Sequence, residues 1–464
     1  MPLVAGIDSS TQSVKVVVRD ADTGVRVREA QAAHPDGTEV EPRVWWEALQ
    51  KALGGVLDGV EAISVAGQQH GMVVLDDQDE VIRPALLWND TRSASDAVDL
   101  IEEFGGPAAW AQAVGSVPVA SFTVAKIRWL ARVEPDHAAR VARLMLPHDY
   151  LTWRLAGAQG QLFTDRGDAS GTGYWSPSTG EYRDDLVTQA LGHLPELPRV
   201  CGPATAVATT PDGSLLGVGT GDNMAGALAL DLQPGDVVVS LGTSGTAFAS
   251  TAFSTADASG FVAGFADATG NFLPLVCTLN AARVLSATAQ LLGADLAELG
   301  VLALAAPSGA DGLCLLPYFD GERTPNLPDA RGSLHGITRS NFTPENVARA
   351  AIEGMLIGMA QAVDALVDSG VQPRRILLIG GAAANPAVRQ LAATVFDFPI
   401  HIPPAGQYVA DGAARQAAWI LQGEEQAPHW ERAAGEQIEV IQAMTNAAIR
   451  EQYENAQEAL YALP

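Results

Sequence analysis

Val4-Ala5-Gly6-Ile7-Asp8-Ser9-Ser10-Thr11-Gln12-Ser13-Val14-Lys15-Val16-Val17-Val18-Arg19 has a counterpart much later in the chain, Asp236-Val237-Val238-Val239-Ser240-Leu241-Gly242-Thr243-Ser244-Gly245-Thr246-Ala247-Phe248-Ala249-Ser250. Each stretch reads as an apolar strand, a loop of small polar residues and a second strand, the pattern of a β-hairpin. Bulky side chains are missing from both loops, so their backbone N–H groups can approach an anion closely. An ordinary hairpin turn is the alternative reading of either loop alone. Two such openings in one chain predict two similar halves, with the boundary near 231–235.

Outward from the first hairpin, Asp22-Thr23-Gly24 is a turn, Trp45–Leu53 has helical spacing, and Ala62–Val65 is a buried strand. Gln68-Gln69-His70-Gly71 follows that strand, and Met72–Leu75 reads as strand again. Amphipathic helices are expected between Ser93 and Gly157, including Thr123–Arg132 and Tyr150–Leu155. Gly217-Val218-Gly219-Thr220-Gly221-Asp222-Asn223 is a glycine-dense loop entering a helix of small residues, Met224–Leu230. In the second half, Thr343-Pro344-Glu345 has the cap, the first-turn proline and the acid of a helix start, and Gly370 its stop. Arg375–Ile379 reads as a buried parallel strand running into Gly380-Gly381-Ala382, with a helix over Asn385–Val395. Strands alternating with helices in both halves predict an α/β fold with mixed sheets.

The 464 residues suit two to four domains, and an apolar share of 47% with 18% charged residues gives material for large cores. Lys and Arg number 28 against 54 Asp and Glu, a net charge of −26, which argues against nucleic acid or an anionic membrane as partner. A phosphate ligand needs only a local cradle and stays allowed. Cys201, Cys277 and Cys314 have no paired spacing, so neither a disulfide framework nor a cysteine zinc site is expected. The N-terminus lacks the features of a secretory signal, and no uninterrupted apolar run reaches the ~18 residues of a spanning helix. A cytoplasmic, reducing location is the expectation.

Chemistry can come from two carboxylates. Asp8 directly follows an apolar strand and faces the first loop, where it can hold Mg²⁺ by one bond or through water. Asp222 enters a helix from a glycine loop, which suits either a plain helix cap or a base held ionised beside a transferable phosphate. Gln68, Gln69 and His70 both donate and accept hydrogen bonds, as a polyol ligand requires, though a lone histidine is more often structural. Trp88-Asn89-Asp90 offers the same mix with an aromatic face, and a tryptophan buried at a strand end is the alternative. Lys126, on the helix Thr123–Arg132, can reach a ligand, but on local grounds it reads as a surface lysine whose stem snorkels along its helix.

With these residues in place the chain resembles the FGGY carbohydrate kinases over nearly its whole length, fading after about residue 423. Gly6-Ile7-Asp8 with Thr11 and Lys15 resembles the opening phosphate motif, and Ser121-Phe122-Thr123-Val124-Ala125-Lys126-Ile127-Arg128-Trp129-Leu130 the first family signature. Gly332-Ser333-Leu334-His335-Gly336-Ile337 with Asn346-Val347 and Ala350-Ala351-Ile352-Glu353 fits the second. Ser240-Leu241-Gly242-Thr243-Ser244-Gly245 and Tyr318-Phe319-Asp320-Gly321-Glu322-Arg323-Thr324-Pro325 are further family stretches. The chain departs from the family pattern at Ser10, Ala382, Ala384 and Val133, and at Gln69, where the family usually has Met.

The resemblance implies two ribonuclease H-like (actin-like ATPase) domains, 1–232 and 233–464, with a cleft that closes over Mg-ATP and a sugar. It implies Asp222 as general base, with Asp8 and Asp222 associated with the metal. Thr11, Gly242 and Thr243 then face phosphate, and Gly380, Gly381, Ala382 and Asn385 the nucleoside. Gln69, His70, Trp88, Asn89, Asp90, Asp222 and Asn223 are the implied sugar contacts. The implied reaction is phosphorylation of D-xylulose to its 5-phosphate by ATP. The expected partners are these small molecules, with no nucleic acid and no membrane, and a homodimer is compatible with them. Two alternatives stay open: another sugar or polyol (ribulose, gluconate or glycerol) as acceptor, and a nucleotide-gated interaction protein without catalysis.

Overall fold

A computed structural model describes residues 1–430 and 437–461 of the chain, which forms two compact units. The first comprises Met1–Leu232, Ala252–Leu273 and Gly406–Ala434, and the second Gln233–Thr251, Pro274–Ala405 and Gly435–Pro464. The chain therefore crosses between units at Leu232/Gln233 and afterwards returns twice to the first.

In the first unit the strands run in the order Ala206–Thr209, Leu215–Gly217, Val60–Gly67, Leu3–Ser9, Ser13–Asp20, Arg26–Ala33, and Thr220–Gly221 also pairs with Val60–Gly67. Leu3–Ser9 and Ser13–Asp20 form an antiparallel hairpin from Leu3↔Asp20 to Ser9↔Val14. Asp8 thus lies inside its strand, and the loop shrinks to Ser10–Gln12, closed by Ser10 N donating to Ser13 O at 3.1 Å. Strand alternation sends Ala5, Ile7, Val14, Val16 and Val18 to one face, against Trp45, Leu49, Tyr150 and Leu151 of the helices Pro42–Leu53 and Pro147–Leu155. Val4, Val17, Ala62 and Ala66 face the other way, onto Ala410, Ala413, Ala414, Ala417 and Ala418 of the helix Tyr408–Gln422. Both faces are covered, so these strands are almost wholly apolar.

The second unit repeats the arrangement. Its sheet runs Phe272–Thr278, Gly245–Ala249, Asp236–Leu241, Arg375–Ile379, Ile400–Ile402, Glu439–Ile441, with the first strand entering the unit at Pro274. Asp236–Leu241 is antiparallel to Gly245–Ala249 and parallel to Arg375–Ile379. The helix Pro344–Asp368 starts where its signals predict, with the Thr343 hydroxyl accepting from Asn346 N. It is long and apolar enough to cross a membrane, yet 72% of its apolar window is buried inside the protein. The last helix, Ala447–Tyr461, packs Tyr453 and Gln457 beside the Tyr318 hydroxyl of the same unit. The sequence reading carried this helix over 444–463, of which 462 and 463 lie outside the described residues.

Candidate active site

Three neighbouring strand ends build the site of the first unit. Leu3–Ser9 runs parallel to Val60–Gly67 with Asp8 opposite Ala66, and Thr220–Gly221 runs parallel to the same strand with Gly221 opposite Gly67. Asp8, the segment Gln68-Gln69-His70 and Asp222 therefore emerge at one carboxyl edge, where ligands of open α/β sheets bind.

Asp8 is buried, with the Ser10 hydroxyl donating to Oδ1 at 2.5 Å and Lys15 Nζ 3.8 Å from Oδ2. Burial pushes its carboxyl up to about 6 against the pull of those two groups. Gly221 takes the cap position of the helix Asp222–Ala229, leaving Asp222 as its first residue. The Asp222 side chain accepts from Asn223 N at 2.8 Å and Asn223 Nδ2 at 2.9 Å, bonds to the adjacent residue and not to the next turn. A plain capping role does not describe it. Burial, then the charges of Asp8 and Asp168, raises its carboxyl to about 7. Two carboxylates at strand ends on either side of Val60–Gly67, one feeling the charge of the other, suit a shared positive charge.

Around this pair the structure gathers most of the sugar and phosphate candidates. Asn223 Nδ2 also donates to Gln69 Oε1 at 3.1 Å, and Trp88 Nε1 donates to Thr11 Oγ1 at 2.9 Å. His70 has a left-handed backbone (φ 68°), and its Nδ1 lies 2.6 Å from Gly171 O. A carbonyl only accepts, so Nδ1 carries the proton and Nε2 is the acceptor of the neutral ring. The ring stacks on Phe122 at 5.0 Å and 19°. Asn89 Nδ2 lies 3.5 Å from Gly37 O. Asp90 instead ties its own loop together: Oδ2 accepts from Thr38 Oγ1, and Oδ1 from Arg92 N and Nε.

One sequence reading is corrected. Lys126 does not snorkel; it is fully buried, with Nζ donating to His70 O at 2.8 Å and Ser121 O at 2.5 Å. Thr123, Ile127, Trp129 and Leu130 of the same helix are buried, and the packing that buries them carries the lysine inward.

Sequence reasoning also missed a buried acid–histidine cluster. His148 Nδ1 lies 2.6 Å from Asp168 Oδ2, and Nε2 lies 3.0 Å from Asp149 Oδ1 and 3.9 Å from Asp165 Oδ1. Asp165 caps the short helix Arg166–Ser170 and accepts from Thr220 Oγ1, next to the strand end that leads to Asp222. A Cβ added at Gly219 would collide with the His148 ring, and one at Gly67 would lie 3.0 Å from His148 Cβ, so this residue lies against the strand ends. The available signal was Asp165 and Asp168 spaced by three, with Pro147-His148-Asp149 opening a helix. Burial pulls the imidazole down, but Asp149, Asp168 and Asp165 outweigh it and hold it at about 9. A folded value above the free histidine value makes its stabilisation complete below about 6.5 and lost as pH rises through about 9. Thermal unfolding between pH 7 and 9 should show Tm falling with pH, and His148→Gln should lower Tm at pH 7, where the three buried carboxylates lose the imidazolium between them. An unchanged Tm at pH 7 would remove the ion-pair assignment.

The second unit forms a matching edge. Gly242 and Thr243 lie in the turn after Asp236–Leu241, with Gly242 O accepting from Ala282 N and Thr243 O from Arg283 Nε. Ser240 stands opposite Ile379, so Gly380-Gly381-Ala382 leaves the sheet beside that turn. Gly380 has φ +95°, and a Cβ there would lie 2.6 Å from the Leu241 carbonyl, whereas Gly381 faces open space. Asn385 caps the helix Pro386–Val395 through Ala387 N, and its Nδ2 donates to Leu296 O at 2.7 Å.

Comparison with known proteins agrees with both halves. The model of the FGGY family of carbohydrate kinases, N-terminal domain, matches residues 3–223, and that of the C-terminal domain matches residues 237–421. A xylulose kinase of Streptomyces coelicolor is 46% identical over 95% of this chain and 93% of its own length. A xylulose kinase of Streptomyces rubiginosus is 45% identical, covering 95% and 93%. The crystal structure of xylulose kinase from Bifidobacterium adolescentis superimposes with a TM-score of 0.90 at 45% identity, over 98% of this chain and 99% of that one. Two mixed-sheet units and a match along both halves have one meaning: the chain belongs to the FGGY family of carbohydrate kinases and is a carbohydrate kinase with the two-domain actin-like ATPase fold.

Proposed function

We propose that this enzyme transfers the γ-phosphoryl group of ATP to the 5-hydroxyl of D-xylulose, with Asp222 as general base. The observation that carries the reading is the gathering of Asp8, Gln68-Gln69-His70 and Asp222 at three adjacent strand ends. The acceptor hydroxyl gives its proton to Asp222, its oxygen forms the new bond to phosphorus, and the bond from phosphorus to the departing ADP oxygen breaks. Phosphoryl transfer asks mainly for positioning and charge neutralisation, and a base fixed at a helix start meets the first demand. His70, Gln69, Asn223 and Trp88 orient the sugar in this reading, with Asn89 and Asp90 shaping the loop beside it. The relatives' names support xylulose as the acceptor.

The residues fit Mg²⁺. Burial raises both the Asp8 and the Asp222 carboxyl, and the charge of Asp8 adds to the rise at Asp222, so a divalent cation would offset the cost of ionising them. Among the described residues no group of three or more His, Cys, Asp or Glu gathers as a metal site, and Mg²⁺ commonly takes one or two carboxylates with water and phosphate oxygens. When bound, it neutralises phosphate charge. Within the first unit Thr11 is assigned to phosphate; within the second, Gly242 and Thr243 are assigned to phosphate, and Gly380, Gly381, Ala382 and Asn385 to the nucleoside. The sugar half is thus 1–232 and the nucleotide half 233–464, the latter returning segments to the first unit.

A panel of D-xylulose, D-ribulose, L-xylulose, glycerol and gluconate, each with Mg-ATP and coupled ADP detection, tests the reading. D-xylulose should give the highest kcat/KM, because a site built to hydrogen-bond a hydroxyl rejects an analogue that misplaces it. His70→Ala should raise the KM for D-xylulose by at least about tenfold and narrow the preference over D-ribulose. A different best substrate would move the assignment to that sugar. ATP turnover indifferent to every sugar would point instead to a nucleotide-gated interaction protein.

A further inference from the structure

We propose that Lys126 is a positioning residue for acceptor binding: with the Thr123 hydroxyl it grips the His70 carbonyl and so sets the imidazole that meets the sugar. The inference rests on His70 being an acceptor-binding residue.

The His70 carbonyl receives two side-chain donors from one helix, Lys126 Nζ at 2.8 Å and Thr123 Oγ1 at 3.2 Å. The ammonium group also donates to Ser121 O, at the entry to the same helix. Ser121–Lys126 therefore supplies four of the groups that fix this loop: the Ser121 carbonyl that aims the lysine, the Phe122 ring under the imidazole, the Thr123 hydroxyl and the ammonium group itself. On the other side Nδ1 donates a hydrogen bond to Gly171 O. Backbone and ring of His70 are thus held separately, which a residue in the left-handed region needs if it is to keep one conformation.

A lysine is a costly way to fill core space. Burial pushes the Lys126 amine down to about 7, with Asp90 acting against it. An apolar side chain of similar length would pack there without that desolvation cost. What the amine adds is two directed hydrogen bonds to carbonyls, one of them on a proposed sugar-binding residue. This role lies outside the phosphate and base machinery, so it acts on sugar affinity and leaves the nucleotide alone.

The test measures steady-state kinetics of Lys126→Met, Thr123→Val, His70→Ala and the Lys126→Met/His70→Ala double variant with D-xylulose and Mg-ATP. Lys126→Met should raise the KM for D-xylulose about 10–100-fold, the range for losing a hydrogen bond from a charged donor, with kcat and the KM for ATP held within about threefold. Thr123→Val should shift the sugar KM the same way by less, about 3–10-fold. The double variant should be no worse than His70→Ala alone, because both changes remove one function. A fall in kcat at unchanged sugar KM would mean a purely structural lysine and would overturn the proposal. So would additive effects in the double variant. If Lys126→Met does not fold, an unchanged sugar KM in Thr123→Val overturns it. If His70→Ala itself leaves the sugar KM unchanged, the reading of His70 fails first, a result separate from failure of the lysine.

Discussion

Asp222→Asn is expected to lower kcat by ~10²–10⁴-fold, the usual contribution of a placed general base, while ATP and D-xylulose still bind. Asparagine keeps the shape of the side chain and its hydrogen-bond contact with Asn223, so the loss reports the missing proton acceptor and not a collapsed loop. The same change should raise Tm. Burial and the neighbouring charges of Asp8 and Asp168 lift the Asp222 carboxyl from 3.8 to about 7. A carboxyl whose folded value lies above its unfolded one stabilises the folded chain at low pH and gives that up as pH rises through about 7. At pH 8 the ionised Asp222 therefore costs stability, and the amide removes the cost. In the wild type kcat/KM should climb through about pH 7 as Asp222 loses its proton, with bound Mg²⁺ drawing that limb lower. Loss of less than tenfold in kcat, or a lower Tm in the variant, would take the base role away from this residue.

The two outcomes belong together. Buried carboxylates are under tension, and here burial raises both, with the charges of Asp8 and Asp168 adding to it at Asp222. It is relieved by a cation or a proton, the two species a phosphoryl-transfer site handles.

Much of this arrangement was legible because it is local. The two hairpins announce themselves through β-branched runs around small polar loops, and the Thr343 start of the long helix through its cap and proline. Asp8 and Asp222 stood out because each follows a strand or glycine loop directly. What escaped reading depends on partners far along the chain. Lys126 looks like a surface residue until its helix is set against the His70 loop, and His148 becomes an ion-pair centre only when Asp165 and Asp168 fold back on it. Alternation tells a strand which face is apolar, but not that helix Tyr408–Gln422 covers it. The continuous half 233–464 was accordingly drawn without seeing that this helix packs in the first unit.

That helix makes Gly412→Val the second severe change, through stability. Ala410, Ala413, Ala414, Ala417 and Ala418 form one fully buried stripe of small residues at helical spacing, which lets the helix approach the sheet and its neighbour closely. A Cβ at Gly412 would fall onto the Ala225 carbonyl of the helix that begins with Asp222, and one at Gly6 onto the Ala410 carbonyl. These obstacles are backbone atoms and cannot rotate away. Arg415 further binds the far end of the Asp222 helix, donating to Leu228 O at 2.5 Å and to Asp231 at 2.7 Å. Valine must push the two helices apart, and overpacking against an unyielding backbone costs about 3 kcal/mol or more. Urea unfolding should show the loss, and kcat of the fraction still folded should fall as well, since a shift of ~1 Å in the base can cost about 10²-fold. Gly358→Ala, in the long helix with nothing within 4 Å of the new methyl group, should instead gain up to about 1 kcal/mol. Equal stability of Gly412→Val and wild type would show that the helix stands further from Asp222 than these contacts place it, and the base would need another support.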